Sequence, residues 1–189
     1  MKNTLLIIVF LLFSITLFSQ QSNFKLDVNN PIFPNQYVML NVDTLTVSNA
    51  YNKTLTWIRM TYNSPDEVIK AQLDNKYIKI EGSGKLFYSQ SLGVGNFYKT
   101  KYYVTISFQK GIVKFEVTKM TAYFPPTDLT SGRWADVIYQ NKDVYNSNGK
   151  LRKTKAKKYN VALLYFNDLS KSLKAHLLIP HQNNVKENL

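Results

Sequence analysis

The sequence predicts an α+β domain of two layers, in which two helices pack on one face of an antiparallel sheet. Hydrophobic residues alternate with polar ones through the middle of the chain, and they recur at helical spacing near residues 50–62 and 162–177. The 189 residues include 13 Tyr and 11 Phe, and aromatic residues combined with Val, Ile and Thr suit half-buried strands. The predicted order is β-α-β-β-β-β-α, with one polar sheet face and helices on the other.

The first strand is predicted at residues 37–42 (YVMLNV), and a helix follows it. Ser48 is the predicted N-cap of this helix, because its side chain can accept a hydrogen bond from a free amide. The hydrophobic face of the helix is predicted to carry Tyr51, Leu55, Ile58 and Tyr62, with Ala50 and Trp57 beside them. Asn63-Ser64-Pro65 ends the helix, since the residue before proline avoids the α region.

Four further strands are predicted at residues 67–73, 77–88, 102–108 and 113–117. The last two form a hairpin around Lys110-Gly111, and the glycine-bearing residues 89–96 are predicted to form a loop. The buried face of these strands is predicted to carry Ile78, Ile80, Tyr102, Val104, Ile106, Phe108, Val113, Phe115 and Val117. Gly82 and Gly84 leave gaps in that face, which is typical of a bend or of the close approach of a helix.

The closing helix is predicted to begin near Asn160 and to end at Pro180. Its hydrophobic face is predicted to carry Ala162, Phe166, Leu169, Leu173 and Leu177. Residues 127–159, before this helix, are polar and contain turn signals, so they are predicted to form a long loop. Residues 181–189 are predicted to be a flexible tail.

The N-terminus has the features of a secretory signal peptide over residues 1–19. Leu5–Phe13 is an unbroken apolar run, which is shorter than the roughly 20 residues that cross a bilayer as a helix. Leu17 occupies a position where a cleavage site favours a small residue, so an uncleaved anchor is the alternative. Residues 20–36 are predicted to be a linker and residues 37–180 the folded domain, and we expect the protein to be exported, either periplasmic or secreted.

Three segments resemble one family: Asn49–Ile58 (NAYNKTLTWI), Val68-Ile69 and Ile78–Gly84 (IKIEGSG). They are similar to exported proteins of gram-negative bacteria that are grouped as domain of unknown function 4468, with a TBP-like fold. The resemblance covers roughly Tyr37 to Leu178. It implies a helix that carries a Trp, a glycine-bearing strand, a hairpin and a closing helix, and it implies no catalytic residues. This chain differs in its Ile80–Lys85 stretch and in an unusually basic loop.

The sequence contains no recognisable catalytic, cofactor or metal site. Ser83-Gly84-Lys85 lacks the glycine and the Ser or Thr that a phosphate loop requires, since Lys79 and Leu86 occupy those positions. The two histidines, His176 and His181, are too few for a zinc site. Cysteine is absent, which excludes disulfides, thiolate metal sites and attachment of lipid through a thiol. The alternative is a hydrolase whose carboxylate pair is assembled only in the fold.

The strongest functional signal is the basic segment, residues 150–158 (KLRKTKAKK), in a chain of formal net charge +12. Its cations are the candidate anion-contact residues Lys150, Arg152, Lys153, Lys155, Lys157 and Lys158. They precede the predicted closing helix, where the positive end of the helix dipole disfavours cations. The sequence therefore predicts contact with an anionic component of the cell envelope, and a merely solvated loop is the alternative.

The polar face of the predicted sheet is the second candidate surface. Its predicted contact residues are Tyr77, Lys79, Tyr103 and Lys114. Glu81 and Glu116 stand among these cations, which does not suit phosphate, and export removes DNA as a ligand. The pattern is typical of a face that contacts a protein partner or of an ordinary solvated face, and nucleic acid is not expected as a partner.

Overall fold

The computed structural model describes residues 23–25, 34–91, 94–138 and 144–180. The predicted signal peptide (1–19) and tail (181–189) lie outside these residues. The described strands are β1 (Tyr37–Asn41), β2 (Ile69–Leu73), β3 (Tyr77–Ser91), β4 (Val94–Gln109), β5 (Ile112–Phe124) and β6 (Arg133–Asp136). The described helices are α1 (Val47–Thr61), α2 (Pro65–Val68) and α3 (Lys153–Leu178).

The strands form one antiparallel sheet in the order β1-β5-β4-β3-β2. β6 also pairs with β5, at Thr121–Phe124, whereas β1 pairs with it at Ile112–Glu116. β4 and β5 meet at the two-residue turn Lys110-Gly111, where Gly111 has a φ of +74° that favours glycine. The predicted α+β class and the central hairpin are confirmed.

The core lies between the inner face of the sheet and the helices α1 and α3. Every residue predicted for the inner strand face is buried, as are the five predicted core residues of α3. On α1, Ala50, Tyr51, Trp57 and Ile58 are buried, while Leu55 is partly buried. Trp57 Nε1 donates a hydrogen bond to Ser172 Oγ at 3.1 Å, which joins α1 to α3.

Gly82 of β3 lies directly opposite Tyr102 of β4. A Cβ atom at position 82 would come within 2.2 Å of the Tyr102 hydroxyl oxygen, so only glycine leaves room for this ring. The predicted gap in the buried face is therefore filled by a tyrosine of the neighbouring strand. An aromatic ring that covers a cross-strand glycine is a known means of fixing strand register.

Local hydrogen bonding moves several element boundaries from their predicted positions. Thr46 is the N-cap of α1 rather than Ser48, because its side chain accepts a hydrogen bond from the Asn49 amide at 3.2 Å. Pro65 begins the short helix α2, as its fixed φ suits the first helical position. The strand predicted at residues 67–73 therefore starts only at Ile69.

The long central hairpin and the closing helix extend further than predicted. Ser89 pairs with Asn96 and Ser91 with Val94, so most of the predicted 89–96 loop continues β3 and β4. The predicted 127–159 loop contains β6, and α3 begins at Lys153 rather than near Asn160. Hydrophobic periodicity did not indicate these three extensions, because few of their described side chains are buried.

Phe24 belongs to the core although it lies in the predicted linker, and it is only 3% exposed. Its backbone N–H donates to Asn167 Oδ1 at 2.7 Å, and its carbonyl accepts from Asn167 Nδ2 at 2.9 Å. Its ring centroid lies 6.1 Å from that of Phe115 and 6.2 Å from that of Phe166. A residue five positions after Ser19 is thus held against both layers of the domain.

We predict that Phe24→Ala lowers the free energy of unfolding by about 3–5 kcal/mol, because it opens a cavity between the sheet and α3. Chemical denaturation followed by circular dichroism measures this loss. Leu129→Ala is the control, since this side chain is 95% exposed and its truncation is expected to cost less than about 0.5 kcal/mol. Equal losses in the two variants would contradict the placement of Phe24 in the core.

Candidate functional site

The face of the sheet that points away from the helices carries the four predicted contact residues. Their side chains are half-buried and alternate with core residues along β3, β4 and β5. The strand register places Lys79 opposite Thr105, and Tyr77 and Lys114 each opposite Ser107. We call this surface the open face.

The two lysines predicted for the open face, Lys79 and Lys114, each lie over a tyrosine ring. Lys79 Nζ lies 5.5 Å from the ring centroid of Tyr103, within the range of a cation–π contact. Lys114 Nζ lies 4.5 Å from the ring centroid of Tyr37 and 2.8 Å from Glu116 Oε2. The sequence did not indicate Tyr37, because its role depends on the pairing of β1 with β5. Lys114 is therefore paired with a carboxylate and a ring, whereas Lys79 contacts a ring alone.

Glu81 lies at the centre of a second charged cluster on this side of the sheet. Lys101 Nζ is 3.3 Å and Lys70 Nζ 3.9 Å from its carboxylate oxygens. Partial burial raises the pKa of Glu81, but hydrogen bonds from Tyr103 and Lys101 outweigh it and hold the pKa below its usual value. The hydrogen bond between Tyr103 and Glu81 also raises the pKa of Tyr103. Glu81 is thus held ionised.

A cleft of about 490 Å³ adjoins this cluster, at the edge of the sheet beside α2. The ladder between β2 and β3 ends at Ile80, so the cleft opens where β3 continues without β2. Lys70, Lys99 and Lys101 line the cleft together with Glu67 and Glu81. Sequence reasoning did not find this cleft, because its charged residues come from separate elements.

Three tyrosine hydroxyl groups form a line at the inner wall of the cleft. The hydroxyl of Tyr102 lies 3.1 Å from that of Tyr62 and 2.7 Å from that of Tyr165. Tyr62 directly follows α1 and Tyr165 belongs to α3, and both line the cleft, whereas Tyr102 is fully buried. Burial raises the pKa of Tyr62 and of Tyr102, so both hydroxyls stay protonated at neutral pH.

The basic segment is not a loop over most of its length. Lys153, Lys155, Lys157 and Lys158 belong to α3, and Arg152 is its N-cap residue. Lys150, Arg152 and Lys153 are exposed, while the side chains of Lys155, Lys157 and Lys158 lie outside the described part of the structure. Arg152 makes no side-chain capping hydrogen bond, and the first turn of α3 contains no acidic residue.

The structure does not bring the two predicted surfaces together. α3 packs against the inner face of the sheet, and the open face lies on the other side. Short-range geometry orders the segment before α3: Lys150 N–H donates to Asn146 Oδ1 at 2.8 Å, and Tyr145 pairs with Leu151. The basic segment is thus held at a fixed place at the start of the helix.

His176 lies in the last turn of α3, and Lys53 is its neighbour. Lys53 Nζ donates hydrogen bonds to the carbonyls of Leu177 and Ile179 at the C-terminal end of this helix. Burial and then the charge of Lys53 lower the pKa of His176. In the described part of the chain, no three His, Asp or Glu side chains group as a metal site. His181 lies outside the described residues.

No protein-family model and no curated protein matches this sequence. A crystal structure of a DUF4468 family protein from Bacteroides ovatus is similar, with a TM-score of 0.59 at 14% identity, covering 85% of this chain and 93% of that protein. A TBP-like protein from Parabacteroides distasonis has a TM-score of 0.51 at 13% identity, covering 75% of this chain and 90% of that protein.

The fold is TBP-like. The resemblance carried by the Trp57 helix and the Ile78–Gly84 strand is confirmed by these two structures. At such low identity the likeness concerns the fold alone. Among the described helices of this TBP-like domain, none is both long and apolar enough to cross a membrane.

We predict that Tyr103→Phe raises the pKa of Glu81, because the hydroxyl donates a hydrogen bond to the ionised carboxylate. NMR titration of the glutamate side-chain carbons measures the change. The folded-state pKa of Glu81 lies below the unfolded value of about 4.3, so its stabilising contribution is present above that pH and is lost as the pH falls through the folded pKa. The variant should therefore lose stability less steeply in acid.

Tyr77→Phe is the matched control. Tyr77 lies on the same strand face as Glu81, but the tyrosine that donates a hydrogen bond to the Glu81 carboxylate is Tyr103. The control should leave the pKa of Glu81 unchanged. Equal pKa values for Glu81 in wild type and Tyr103→Phe would show that this hydrogen bond does not hold the carboxylate ionised.

Proposed function

We propose that this protein is an exported, non-catalytic binding module that adheres to anionic surfaces of the bacterial envelope through the basic segment. The observation that carries the proposal is the placement of these cations at the start of α3, with no acidic residue in its first turn and no side-chain cap. Cations near a helix N-terminus each cost typically 0.3–1 kcal/mol, so the stability of α3 does not account for them.

An anionic surface would provide the negative charge that these cations do not meet within the described part of the domain. Near a negatively charged membrane, each Lys or Arg contributes about 1 kcal/mol of attraction. Lys150, Arg152 and Lys153 are exposed and form no salt bridge within the described residues. Their charges are therefore available to lipid or lipopolysaccharide phosphates, and this adhesion weakens as salt screens it.

The open face supplies a second contact, with a protein partner. Its cations are already paired with tyrosine rings and with Glu116, so it is less suited than the basic segment to a polyanion. Two aromatic side chains on the sheet, Tyr37 and Trp134, are 41% and 40% exposed. Such aromatic residues are enriched at protein interfaces, where they combine a large apolar area with a polar tip.

Export is supported by the apolar run Leu5–Phe13 that follows the cationic start of the chain. Outside the cytoplasm, lipid headgroups and acidic glycans are the polyanions that a basic domain meets first. This compartment also separates the TBP-like sheet from DNA, and Glu81 and Glu116 give that sheet negative charges that would repel phosphate.

The second candidate function, a hydrolase, is favoured by the presence of Glu67 and Glu81 in one cleft. Hydrolysis of a glycosidic bond needs one carboxyl group with a raised pKa as proton donor and one ionised carboxylate. Glu81 suits only the ionised role, because its pKa is lowered. Release of reducing sugar from envelope glycans, abolished by Glu81→Gln, would establish this function in place of adhesion.

Replacing the six cations of the basic segment by Gln should lower binding to anionic vesicles by more than about 100-fold, given roughly 1 kcal/mol for each cation. Cosedimentation of the chain without residues 1–19 with phosphatidylglycerol vesicles, at low and high salt, measures this. Binding of the unmodified protein should collapse at high salt and be absent with phosphatidylcholine alone.

The matched control removes the same number of cations at exposed positions outside the basic segment. It consists of the Gln variants of Arg59, Lys76, Lys85, Lys110, Lys171 and Lys174. Both variants remove one Arg and five Lys, so any difference between them reports position rather than net charge. Equal loss of binding in the two variants would contradict a specific role for the basic segment.

A further inference from the structure

The three tyrosine hydroxyl groups beside the cleft carry three protons, but the hydrogen bonds between them use only two. Three O–H groups form two hydrogen bonds, those between Tyr102 and its neighbours Tyr62 and Tyr165. If Tyr102 donates to Tyr165, then Tyr62 donates to Tyr102 and the Tyr165 proton is left over. If the direction is reversed, the Tyr62 proton is left over. A third arrangement, in which both neighbours donate to Tyr102, is disfavoured because it leaves the proton of the fully buried Tyr102 without an acceptor. Each of the first two arrangements leaves one donor at an end of the line.

Both ends of this line face the cleft. Tyr62 and Tyr165 are partly exposed and line it, whereas Tyr102 in the middle is fully buried. Within the described residues, these hydroxyls form no hydrogen bonds other than the two between them. The remaining proton is therefore available to an acceptor inside the cleft, either water or a ligand that displaces it.

The charged residues that line the cleft indicate what charge a bound ligand would carry. Lys70 and Lys101 share the carboxylate of Glu81, but Lys99 forms no ion pair with any described residue. Three lysines and two glutamates line the cleft, which gives an excess of one positive charge. This excess matches a single carboxylate better than a doubly charged phosphate, which the two glutamates would repel about twice as strongly.

The remaining polar groups and the size of the cleft define the rest of the ligand. Thr61, Asn63 and Ser83 line it with side chains that pair with hydroxyl groups. Its volume of about 490 Å³ falls within the range of small-molecule sites. We propose that the cleft binds a sugar acid, whose carboxylate lies between Lys99 and the outward hydroxyl of the tyrosine line.

In this arrangement Lys99 neutralises the carboxylate, and the outward tyrosine hydroxyl of Tyr62 or Tyr165 donates to one of its oxygens. Thr61, Asn63 and Ser83 select a hydroxylated ring over a simple carboxylic acid. This site is separate from the basic segment and from vesicle adhesion. Either proposal can therefore fail without the other.

The test is a calorimetric titration of the chain without residues 1–19 with glucuronate, in parallel with glucose and inorganic phosphate. Glucuronate should bind at least about tenfold more tightly than glucose, because hydrogen bonds to charged groups are the stronger ones. Tighter binding of phosphate than of glucuronate, or equal binding of glucuronate and glucose, would overturn the proposal.

Lys99→Gln should weaken glucuronate binding at least about tenfold and leave glucose binding unchanged, since it removes a cation that the carboxylate contacts. Lys85→Gln is its matched control, because Lys85 is an exposed lysine of the same hairpin that does not line the cleft. Equal effects of the two substitutions on glucuronate binding would overturn the proposal.

A double variant, Tyr62→Phe with Tyr165→Phe, removes both ends of the tyrosine line while keeping its rings. It should also weaken glucuronate binding, with thermal unfolding recorded to confirm that the domain is folded. Undiminished binding in a folded double variant would overturn the role of the hydroxyls. Replacing the six cations of the basic segment should leave glucuronate binding unchanged, which separates this site from vesicle adhesion.

Discussion

The ring of Tyr102 lies in the space that the absent side chain of Gly82 leaves on the inner face of the sheet. Its hydroxyl reaches Tyr62 at the end of α1 and Tyr165 of α3, so a single side chain connects the sheet with both helices. Its ring also packs edge-on against Phe166, with centroids 5.1 Å apart. Core packing and the inner wall of the cleft therefore both depend on the contact between the Tyr102 ring and Gly82.

Charge is distributed differently over the two sides of the domain. On the open face, Lys79 and Lys114 contact tyrosine rings, and Glu81 joins Lys70, Lys101 and Tyr103 in one cluster. At the start of α3, cations accumulate without acids, against the helix dipole. The first arrangement balances charge within the domain, and the second is the basis of the proposed contact with an external anion.

Hydrophobic periodicity predicted the fold class, the buried strand faces and the core side of α3, because those patterns reflect burial directly. It did not predict β6, whose residues are largely exposed, or the first turn of α3, which is rich in charged residues. The sequence placed Lys79 and Tyr103 on one polar face but did not predict their contact, and Lys114–Tyr37 required the register of β1. The cleft could not be predicted, since Lys70, Lys99 and Tyr165 meet only through long-range topology.

The free energy of unfolding of Gly82→Ala tests the central contact most directly. Replacing glycine by alanine within a strand is ordinarily stabilising by roughly 0.5–1 kcal/mol. Here the new methyl group would overlap the Tyr102 ring, and we expect a loss of about 1–3 kcal/mol from this overpacking. Gly84→Ala is the comparison, because its Cβ would meet only the flexible Leu86 side chain, at 3.3 Å. A Gly82→Ala protein as stable as wild type would contradict the account.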